Sequence, residues 1–256
     1  MNFIFYEKVL KKYIDYKSTI LVLAAGRNDY FVLNKLNYEN VTLSNLDKRM
    51  KAKPYKPFQW SFQNAESLTF EDNKFDFVII HEGLHHCFSP HKALLEMYRV
   101  AKKGVLCIES RDSFLMRIFL RLNLAYQYEH PAVFQNNFLY GGVANSEIPN
   151  YVYRWKEEEI KKTINCFAPY SDHQIYFDYD LNMPSDYKKI FLIDILSRFL
   201  KVIFKKICPT QLNLFSFFIK KPDLKNESFP WINYEDNKVQ INKKWLKLNW
   251  KKKINR

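Results

Sequence analysis

Residues 74–110 read "KFDFVIIHEGLHHCFSPHKALLEMYRVAKKGVLCIES" and hold the pattern that decides the fold. The near-continuous apolar run at 74–80 is typical of a β-strand that is covered on both faces. Ser89 and Pro90 suit the N-cap and the first position of a helix, and Gly104 predicts the end of that helix. A second apolar run follows Gly104. Strand, helix and strand in this order predict a βαβ unit with two parallel strands.

The same alternation of apolar runs and helical patterns continues on both sides of this unit. It predicts helices at about 5–16, 30–36, 113–127 and 156–167, and further strands at 19–25, 40–47, 58–62, 173–181 and 212–221. The predicted fold class is therefore α/β, a Rossmann-like doubly wound seven-stranded sheet that is mostly parallel and has one late antiparallel strand.

The five residues from His81 to His85 spell H-E-G-L-H, which matches the H-E-x-x-H signature of zinc peptidases. That signature requires a helix, on which two histidines one turn apart share a face. Here a predicted strand leads directly into His81, Gly83 interrupts the turn, and no third ligand stands at a suitable spacing. We therefore expect a strand-to-loop junction and no metal site, so that a zinc hydrolase is disfavoured.

The composition favours a folded protein of the reduced cytoplasm. Hydrophobic residues make up 47% of the 256 residues and aromatic residues 17%, which argues against disorder. The four cysteines lie far apart and form no C-x-x-C pair, which disfavours a disulfide framework. We find no signal peptide, and the most apolar stretch is broken by charged residues and is a poor membrane span.

The formal net charge of +13 is placed almost wholly in residues 188–256, because residues 1–187 are close to neutral. A basic C-terminal third can meet nucleic acid, anionic lipid or an acidic substrate, or it can be a solvated lysine-rich tail with no binding role. We find no nucleic-acid recognition motif, so nucleic acid is not the expected partner. The amphipathic segment 188–207 and the basic tail leave contact with a membrane surface open.

Residues 62–110, which begin "FQNAESLTF", resemble the central block of the class I S-adenosylmethionine-dependent methyltransferases. The shared features are an amide or acidic residue followed by Ala, then Glu, then "FD" before a strand and "LHH" after it. The resemblance is to the small-molecule branch of the family, which includes the quinone methylases, and it covers residues 19–110 directly. It implies methyltransferase activity with S-adenosyl-L-methionine as the cofactor.

The resemblance also assigns cofactor-binding roles to the ends of the predicted strands. In the family the first strand ends in an acidic residue and a glycine-rich loop, whereas this chain has "VLAAGRNDY" with Ala24 in place of the acid. Asn and Asp tolerate a left-handed backbone, so the turn can be made without more glycines. The residues expected to bind the cofactor are Gly26, Asn28 and Asp29 in this loop, Asp47 at the ribose hydroxyls, Asn64 and Ala65 at the adenine, and His81 at the end of the fourth strand.

Residues 128–155 interrupt the alternation and are expected to form a substrate lid, because a loop of this length in a compact domain is usually functional. Its amide, phenol and guanidinium groups suit a polar or anionic small-molecule substrate. His85 and His86 are candidate general bases, since a neutral imidazole accepts a proton near pH 7. The expected substrate contacts are Glu82, His130, Tyr140 and Arg154.

These assignments predict an enzyme that methylates an oxygen or nitrogen of a polar small molecule, such as a sugar or a surface-glycan precursor in polysaccharide biosynthesis. Because the loop after the first strand departs from the glycine-rich pattern of the family, a second interpretation stays open. In that interpretation the chain is a non-catalytic binding protein with a degenerate cofactor site. Methylation of a quinone, a lipid or nucleic acid is less favoured. The predicted methyltransferase domain is 1–222, with an amphipathic helical insertion at 184–207, and 223–256 form a basic C-terminal tail.

Overall fold

The computed structural model describes residues 3–49, 55–183, 191–236 and 238–254. Its centre is a seven-stranded sheet with the strand order β3-β2-β1-β4-β5-β7-β6. The strands are β1 (Ile20–Leu23), β2 (Val41–Asn45), β3 (Gln59–Phe62), β4 (Phe75–His81), β5 (Ala101–Ser110), β6 (Gln174–Asp180) and β7 (Leu214–Lys220). β1 to β5 pair in parallel, and β7 lies antiparallel between β5 and β6. The predicted fold class is confirmed.

Helices cover both faces of the sheet, which is why the central strands read as continuous apolar runs. They are α1 (Phe3–Tyr13), α2 (Arg27–Lys35), α3 (Pro90–Val100), α4 (Phe114–Arg121), α5 (His130–Phe134), α6 (Glu157–Phe167) and α7 (Phe191–Ile207). One core cluster packs α1 and α2 on the sheet through residues such as Tyr6 and Leu33. The cluster on the opposite face packs α3 and α6 through residues such as Leu94 and Ile160.

The prediction that Gly104 ends a helix is wrong. The helix α3 ends at Val100, and Gly104 lies inside β5, where it pairs with Lys220 of β7. A Cβ atom on Gly104 would lie 2.8 Å from the backbone oxygen of Ile219 and from the ring of Phe218. The glycine is therefore needed for the close approach of two strands, which its local sequence does not reveal.

The helix predicted at 113–127 is shorter than expected. Ser113 caps α4 by accepting a hydrogen bond from the backbone N–H of Met116, and the helix ends at Arg121. Asn123 follows with a φ of 54°, a left-handed conformation that Asn tolerates and that turns the chain out of the helix. The segment 128–155 contains regular structure as well, namely α5 and a short 3₁₀ helix at Val143–Asn145.

The predicted insertion at 184–207 contains α7, whereas its residues 184–190 lie outside the described part of the chain. Leu200 and Phe204 of α7 pack beside Leu115 and Phe119 of α4. The opposite side of α7 exposes Ile195, Phe199, Val202 and Ile207. Among the described residues, no helix is both long enough and apolar enough to cross a bilayer. Contact of this segment with a membrane surface stays a prediction.

The predicted basic tail has regular structure of its own. Beyond Pro222 lie the helix α8 (Leu224–Glu227), the hairpin of β8 (Ile232–Glu235) and β9 (Lys238–Ile241), and the helix α9 (Lys243–Ile254). The side chain of Ser171 donates a hydrogen bond to the backbone oxygen of Glu227, and Lys220 forms an ion pair with the same residue. These contacts attach the start of the tail to the main sheet.

Candidate active site

A cleft of about 200 Å³ lies at the carboxyl ends of the central strands. The strand order reverses between β1 and β4, and doubly wound sheets bind ligands at this switch point. The cleft is lined by Ala24 after β1, Asn45 and Leu46 at the end of β2, Gln63, Asn64, Ala65 and Glu66 after β3, Glu82, Gly83, His86 and Cys87 after β4, and Gly141, Gly142, Ala144 and Asn145 from the 128–155 segment. Four of the residues predicted for the site, Asn64, Ala65, Glu82 and His86, are therefore brought together.

The loop after β1 makes its turn differently from the prediction. The left-handed residue is Ala24, with a φ of 49°, whereas Asn28 and Asp29 are already part of α2. Gly26 is the N-cap of α2, and its backbone N–H donates a 2.8 Å hydrogen bond to the Asp29 carboxylate. The carboxylate thereby satisfies a free donor at the helix start, which is the role of the acidic residue in a capping box.

Behind this loop lies a buried polar group made of Tyr6 on α1, Asp29 on α2 and His81 at the end of β4. The rings of Tyr6 and His81 stack with their centroids 4.5 Å apart. The Tyr6 hydroxyl lies near the Asp29 carboxylate, whereas His81 Nδ1 has no hydrogen-bond partner among the described residues. Burial raises the pKa of Asp29. The pKa of Tyr6 is also raised, mainly by burial and secondly by the charge of the nearby Asp29 carboxylate. His81 is not among the cleft-lining residues, because its ring packs against α1.

Asp47 lies just beyond β2, but its carboxylate is already occupied. It accepts two hydrogen bonds from the guanidinium of Arg49, and the Nε bond measures 2.7 Å. The same guanidinium lies 3.1 Å from the ring centroid of Tyr140, an arrangement typical of a cation–π contact. This contact of Tyr140 joins the 128–155 segment to the end of β2. The predicted contact of Tyr140 with substrate stays a prediction. The role of Asp47 at a ribose stays a prediction.

The loop after β3 is held rigidly at the cleft. Asn64 Oδ1 accepts the backbone N–H of Glu66, which closes a tight turn around Ala65. The Glu66 carboxylate accepts the backbone N–H groups of Phe88 at 3.0 Å and Ser89 at 2.9 Å. Glu66 therefore ties this loop to the start of α3, and it leaves the Asn64 amide group and the Ala65 backbone at the cleft wall.

The H-E-G-L-H stretch is a strand end followed by a loop, as expected. His81 is the last residue of β4, Glu82 has a left-handed backbone with a φ of 49°, and a 3₁₀ helix begins at Leu84. His81 and His85 therefore do not share the face of one helix, which a zinc peptidase requires. The Glu82 carboxylate lines the cleft and accepts a 3.2 Å hydrogen bond from the side chain of Asn182.

Sequence reasoning missed two carboxylates that meet His85 and His86. Glu109, at the end of β5, is fully buried and accepts the backbone N–H groups of Gly83 and Leu84 with one oxygen. Its other oxygen lies 2.7 Å from His85 Nδ1. Glu129 comes from the 128–155 segment, and its Oε2 lies 3.4 Å from Nε2 of both histidines. The one signal in the sequence concerned Glu109, which is an acidic residue at the end of an apolar strand.

The two carboxylates set different charges on the two histidines. Burial alone would lower the pKa of His85, but Glu109 and Glu129 raise it to about 10. Burial would likewise raise the pKa of Glu129, but His85 and His86 lower it to about 2. Burial, followed by the charge on His85, lowers the pKa of His86. A protonated His85 accepts no further proton, so of the two predicted bases only His86 is both at the cleft and neutral.

Comparison with known proteins identifies the part of the chain that builds this cleft. Residues 22–108 match the family model described as a methyltransferase domain. The loops after β1, β2, β3 and β4 all lie within the match, whereas Glu109 and the 128–155 segment follow it.

Relatives with known names match a similar length. A demethylmenaquinone methyltransferase from Anoxybacillus flavithermus is 38% identical over 82 residues, which are 31% of this chain and 34% of the relative. The ubiquinone/menaquinone biosynthesis C-methyltransferase UbiE from Zymomonas mobilis is 36% identical over 101 residues, which are 35% of this chain and 41% of the relative. The chain thus spans well under half the length of these curated relatives.

The fold similarity extends further than the sequence similarity. The crystal structure of an S-adenosylmethionine-dependent methyltransferase from Archaeoglobus fulgidus superimposes with a TM-score of 0.52 at 13% identity, and the match covers 86% of this chain and 95% of that one. The similarity of fold therefore extends well beyond residues 22–108.

Like Tyr140, two further predicted substrate residues, Arg154 and His130, are not among the residues that line the cleft. The guanidinium of Arg154 donates to the backbone oxygens of Val152 and Tyr126, so it stabilises the lid segment from within. Burial lowers its pKa. His130 is exposed at the start of α5, and its neighbour Glu129 is the residue that reaches the histidine pair. A substrate role for Arg154 or His130 stays a prediction.

Proposed function

We propose that this chain is an S-adenosylmethionine-dependent methyltransferase that acts on a polar small molecule. The observation that carries the proposal is the position of the cleft, at the switch point between β1 and β4 and lined by loops of the methyltransferase domain. When bound there, the cofactor supplies a methyl group on a sulfonium. The contribution of the chain is to place the acceptor atom in line with that methyl group, and positioning of this kind accounts for much of the rate of such displacements.

The residues present suit the cofactor even though Ala24 replaces the family acid. Asn64 and Ala65 line the cleft, and in this proposal their amide group and backbone contact the adenine edge. Tyr6, Asp29 and His81 are buried behind the loop after β1 and do not line the cleft, so they support that end of the site from behind.

Polar side chains of the cleft support a polar acceptor. Glu82, His86 and Asn145 are among the residues that line it, and they offer a carboxylate, an imidazole and an amide. Groups of this kind hydrogen-bond hydroxyl and amine substituents, such as those of a sugar or a surface-glycan precursor. In this proposal His86 and Glu82 contact the acceptor, and methylation takes place on oxygen or nitrogen.

A quinone is the second candidate acceptor, and the names of the relatives favour it. The relatives from Anoxybacillus and Zymomonas are named as quinone methyltransferases. The exposed apolar side of α7, with Phe199 and Val202, would suit a lipid-soluble acceptor or the surface that carries it. However, the family match ends at residue 108, before the lid segment that completes the cleft. The acceptor of the relatives therefore has less weight here than the polar side chains of the cleft.

Cofactor binding is tested by thermal unfolding with S-adenosylmethionine and with its demethylated product. A ligand at a hundred times its Kd stabilises the fold by about 2.7 kcal/mol, and the shift should disappear in Asn64→Ala. Asn40→Ala is the matched control, because Asn40 lies at the other end of β2 and its side chain donates to the backbone of Lys17. No shift in the unchanged protein at millimolar ligand would favour the non-catalytic interpretation.

The acceptor is tested by measuring formation of the demethylated cofactor. Amino and hydroxy sugars, free and as nucleotide conjugates, are compared with a short-chain demethylated quinol under the same conditions. Turnover of the polar compounds that falls in Glu82→Gln supports the proposal. Turnover of the quinol alone would replace it with the second candidate.

A further inference from the structure

We propose that His85, His86 and Glu129 form a binding site for a divalent transition-metal ion such as Zn²⁺ beside the cleft. The site differs from the H-E-x-x-H pattern, because His81 takes no part in it and the carboxylate comes from the lid segment. Two imidazoles and one carboxylate are the donor types that Zn²⁺ takes in catalytic sites, which keep a further position open. Binding of the ion does not depend on the proposed function, whereas its effect on the acceptor does.

The spacing of the donor atoms supports a shared ion. Nε2 of His85 and Nε2 of His86 each lie 3.4 Å from Glu129 Oε2, and the three donor atoms all fall within 4.8 Å of one another. Ligand atoms on a tetrahedral Zn²⁺ with bonds of about 2.0–2.1 Å stand about 3.4 Å apart. The two separations from Glu129 Oε2 therefore match the edge of a coordination tetrahedron, and the whole donor set fits within 4.8 Å.

The supporting contacts also have the form found around metal ligands. A metal-bound histidine usually donates its other ring N–H to a carboxylate, which fixes the orientation of the ring. Glu109 provides this at His85 Nδ1, at 2.7 Å, and is itself held by the N–H groups of Gly83 and Leu84. Asn150 donates to Glu129 Oε2 at 3.3 Å and to the backbone oxygen of His85 at 3.2 Å. The donor set is thus oriented before any ion binds.

The charge of the cluster is compatible with a bound cation. Glu109 and Glu129 bring two carboxylates to the histidine pair, and in the metal-free cluster a protonated His85 balances one of them. Within the described chain neither carboxylate forms an ion pair with a lysine or an arginine. A divalent ion would replace the proton on Nε2 of His85, which is released to solvent, and would balance both carboxylates when bound by two neutral imidazoles.

The open position of this site would face the cleft, because His86 is both a ligand and a cleft-lining residue. It suits an oxygen ligand, either water or a hydroxyl of the acceptor. A bound divalent ion lowers the pKa of such an oxygen. If the function proposed above holds, the site selects acceptors with a hydroxyl next to the reacting position.

The test uses the full chain after removal of metal with a chelator. One equivalent of Zn²⁺ is expected to bind in competition with a coloured chelator, and Co²⁺ is expected to give the visible absorption of a four- or five-coordinate site. His86→Gln and Glu129→Gln should lose the binding, and Glu109→Gln should weaken it about 10–100-fold as the supporting carboxylate. His91→Gln is the matched control, since His91 also contacts a carboxylate, Glu159 at 3.0 Å, but has no second histidine beside it.

Loss of binding in the cluster variants with retention in His91→Gln supports the site, provided that thermal unfolding shows all metal-free variants to be folded. Equal binding in all variants, Zn²⁺ binding only through cysteine as shown by a thiolate band with Co²⁺, or no binding by the unchanged protein would overturn it. All measurements are made without S-adenosylmethionine. The cofactor thermal shift of the metal-free protein is recorded separately, so failure of one proposal is distinguished from failure of the other.

Discussion

The exchange Gly83→Ala adds one methyl group at the point where β1 and β4 diverge to form the cleft. Gly83 has a φ of −129°, which any residue can adopt, so the backbone itself does not require a glycine. The added Cβ, however, would lie 2.7 Å from the Cβ of Ala24 and 2.9 Å from Cγ1 of Ile80. Both neighbours belong to the central strands or directly follow them, so neither has a flexible side chain that can move aside. The methyl group must therefore push the ends of β1 and β4 apart.

Overpacking of this kind typically costs about 1–3 kcal/mol of the free energy of unfolding. For a chain of this size the midpoint of thermal unfolding should fall by about 2–12 °C. The cleft between the two strand ends should be distorted as well, so the thermal shift produced by the demethylated cofactor should shrink. Both quantities come from the same unfolding experiment, recorded with and without ligand.

Gly26→Ala is the matched control, because it is the same exchange on the other side of the site. A Cβ at Gly26 would have one neighbour within 4 Å, Asp29 Oδ2 at 3.8 Å. Alanine is a poorer N-cap than glycine, but it restricts the unfolded chain, and these opposing effects leave a net change within about 1 kcal/mol. A Gly83→Ala protein that unfolds at the temperature of the unchanged protein, or a larger loss in Gly26→Ala, would refute the reasoning.

Three further exchanges test contacts that position the site. Asp180→Asn should lower the free energy of unfolding by about 1–2 kcal/mol at pH 7. The reason is that the buried carboxylate pairs at 2.9 Å with Lys201, whose side chain is one-third exposed. Burial favours the neutral acid, yet the lysine lowers the pKa of Asp180, so the deficit should shrink as pH falls below about 4 in denaturant titrations. Arg111→Met should lower the free energy of unfolding by about 3–5 kcal/mol, because it removes the ion-pair partner of Glu157. A second exchange in the same chain, Glu157→Leu, should recover most of this loss. No recovery would contradict the ion-pair argument. Lys221→Met should cost about 1–3 kcal/mol by leaving two backbone oxygens without a donor, and an unchanged unfolding midpoint would count against it.

The sequence was sufficient for the fold because the relevant signals are local. The run at 74–80 and the cap at Ser89 describe β4 and the start of α3 directly. The family resemblance assigned Asn64 and Ala65 to the cofactor site and Glu82 and His86 to the substrate side, and the structure places all four at the cleft. The order of the strands was not predicted from the sequence.

A local signal was misleading where a distant strand decides the role of a residue. Gly104 has the position of a helix end, yet β7 makes it necessary in β5. One side-chain partner of Asp47 and one of Arg154 lie close in the sequence, but residue type alone did not indicate them. Arg49 pairs with the Asp47 carboxylate, and the backbone oxygen of Val152 accepts a hydrogen bond from Arg154.

The sequence by itself thus determined the sheet and most of the cleft floor, because periodicity and capping depend on neighbours in the chain. The grouping of Glu109 and Glu129 around His85 and His86 depended on the tertiary structure alone. Those four residues come from the loop after β4, the end of β5 and the lid segment. No local pattern in the sequence indicates that they lie close together in space. Only the packing of the lid over the strand ends brings the two carboxylates to the histidines, and it is this contact that turns a rejected zinc motif into a testable metal site.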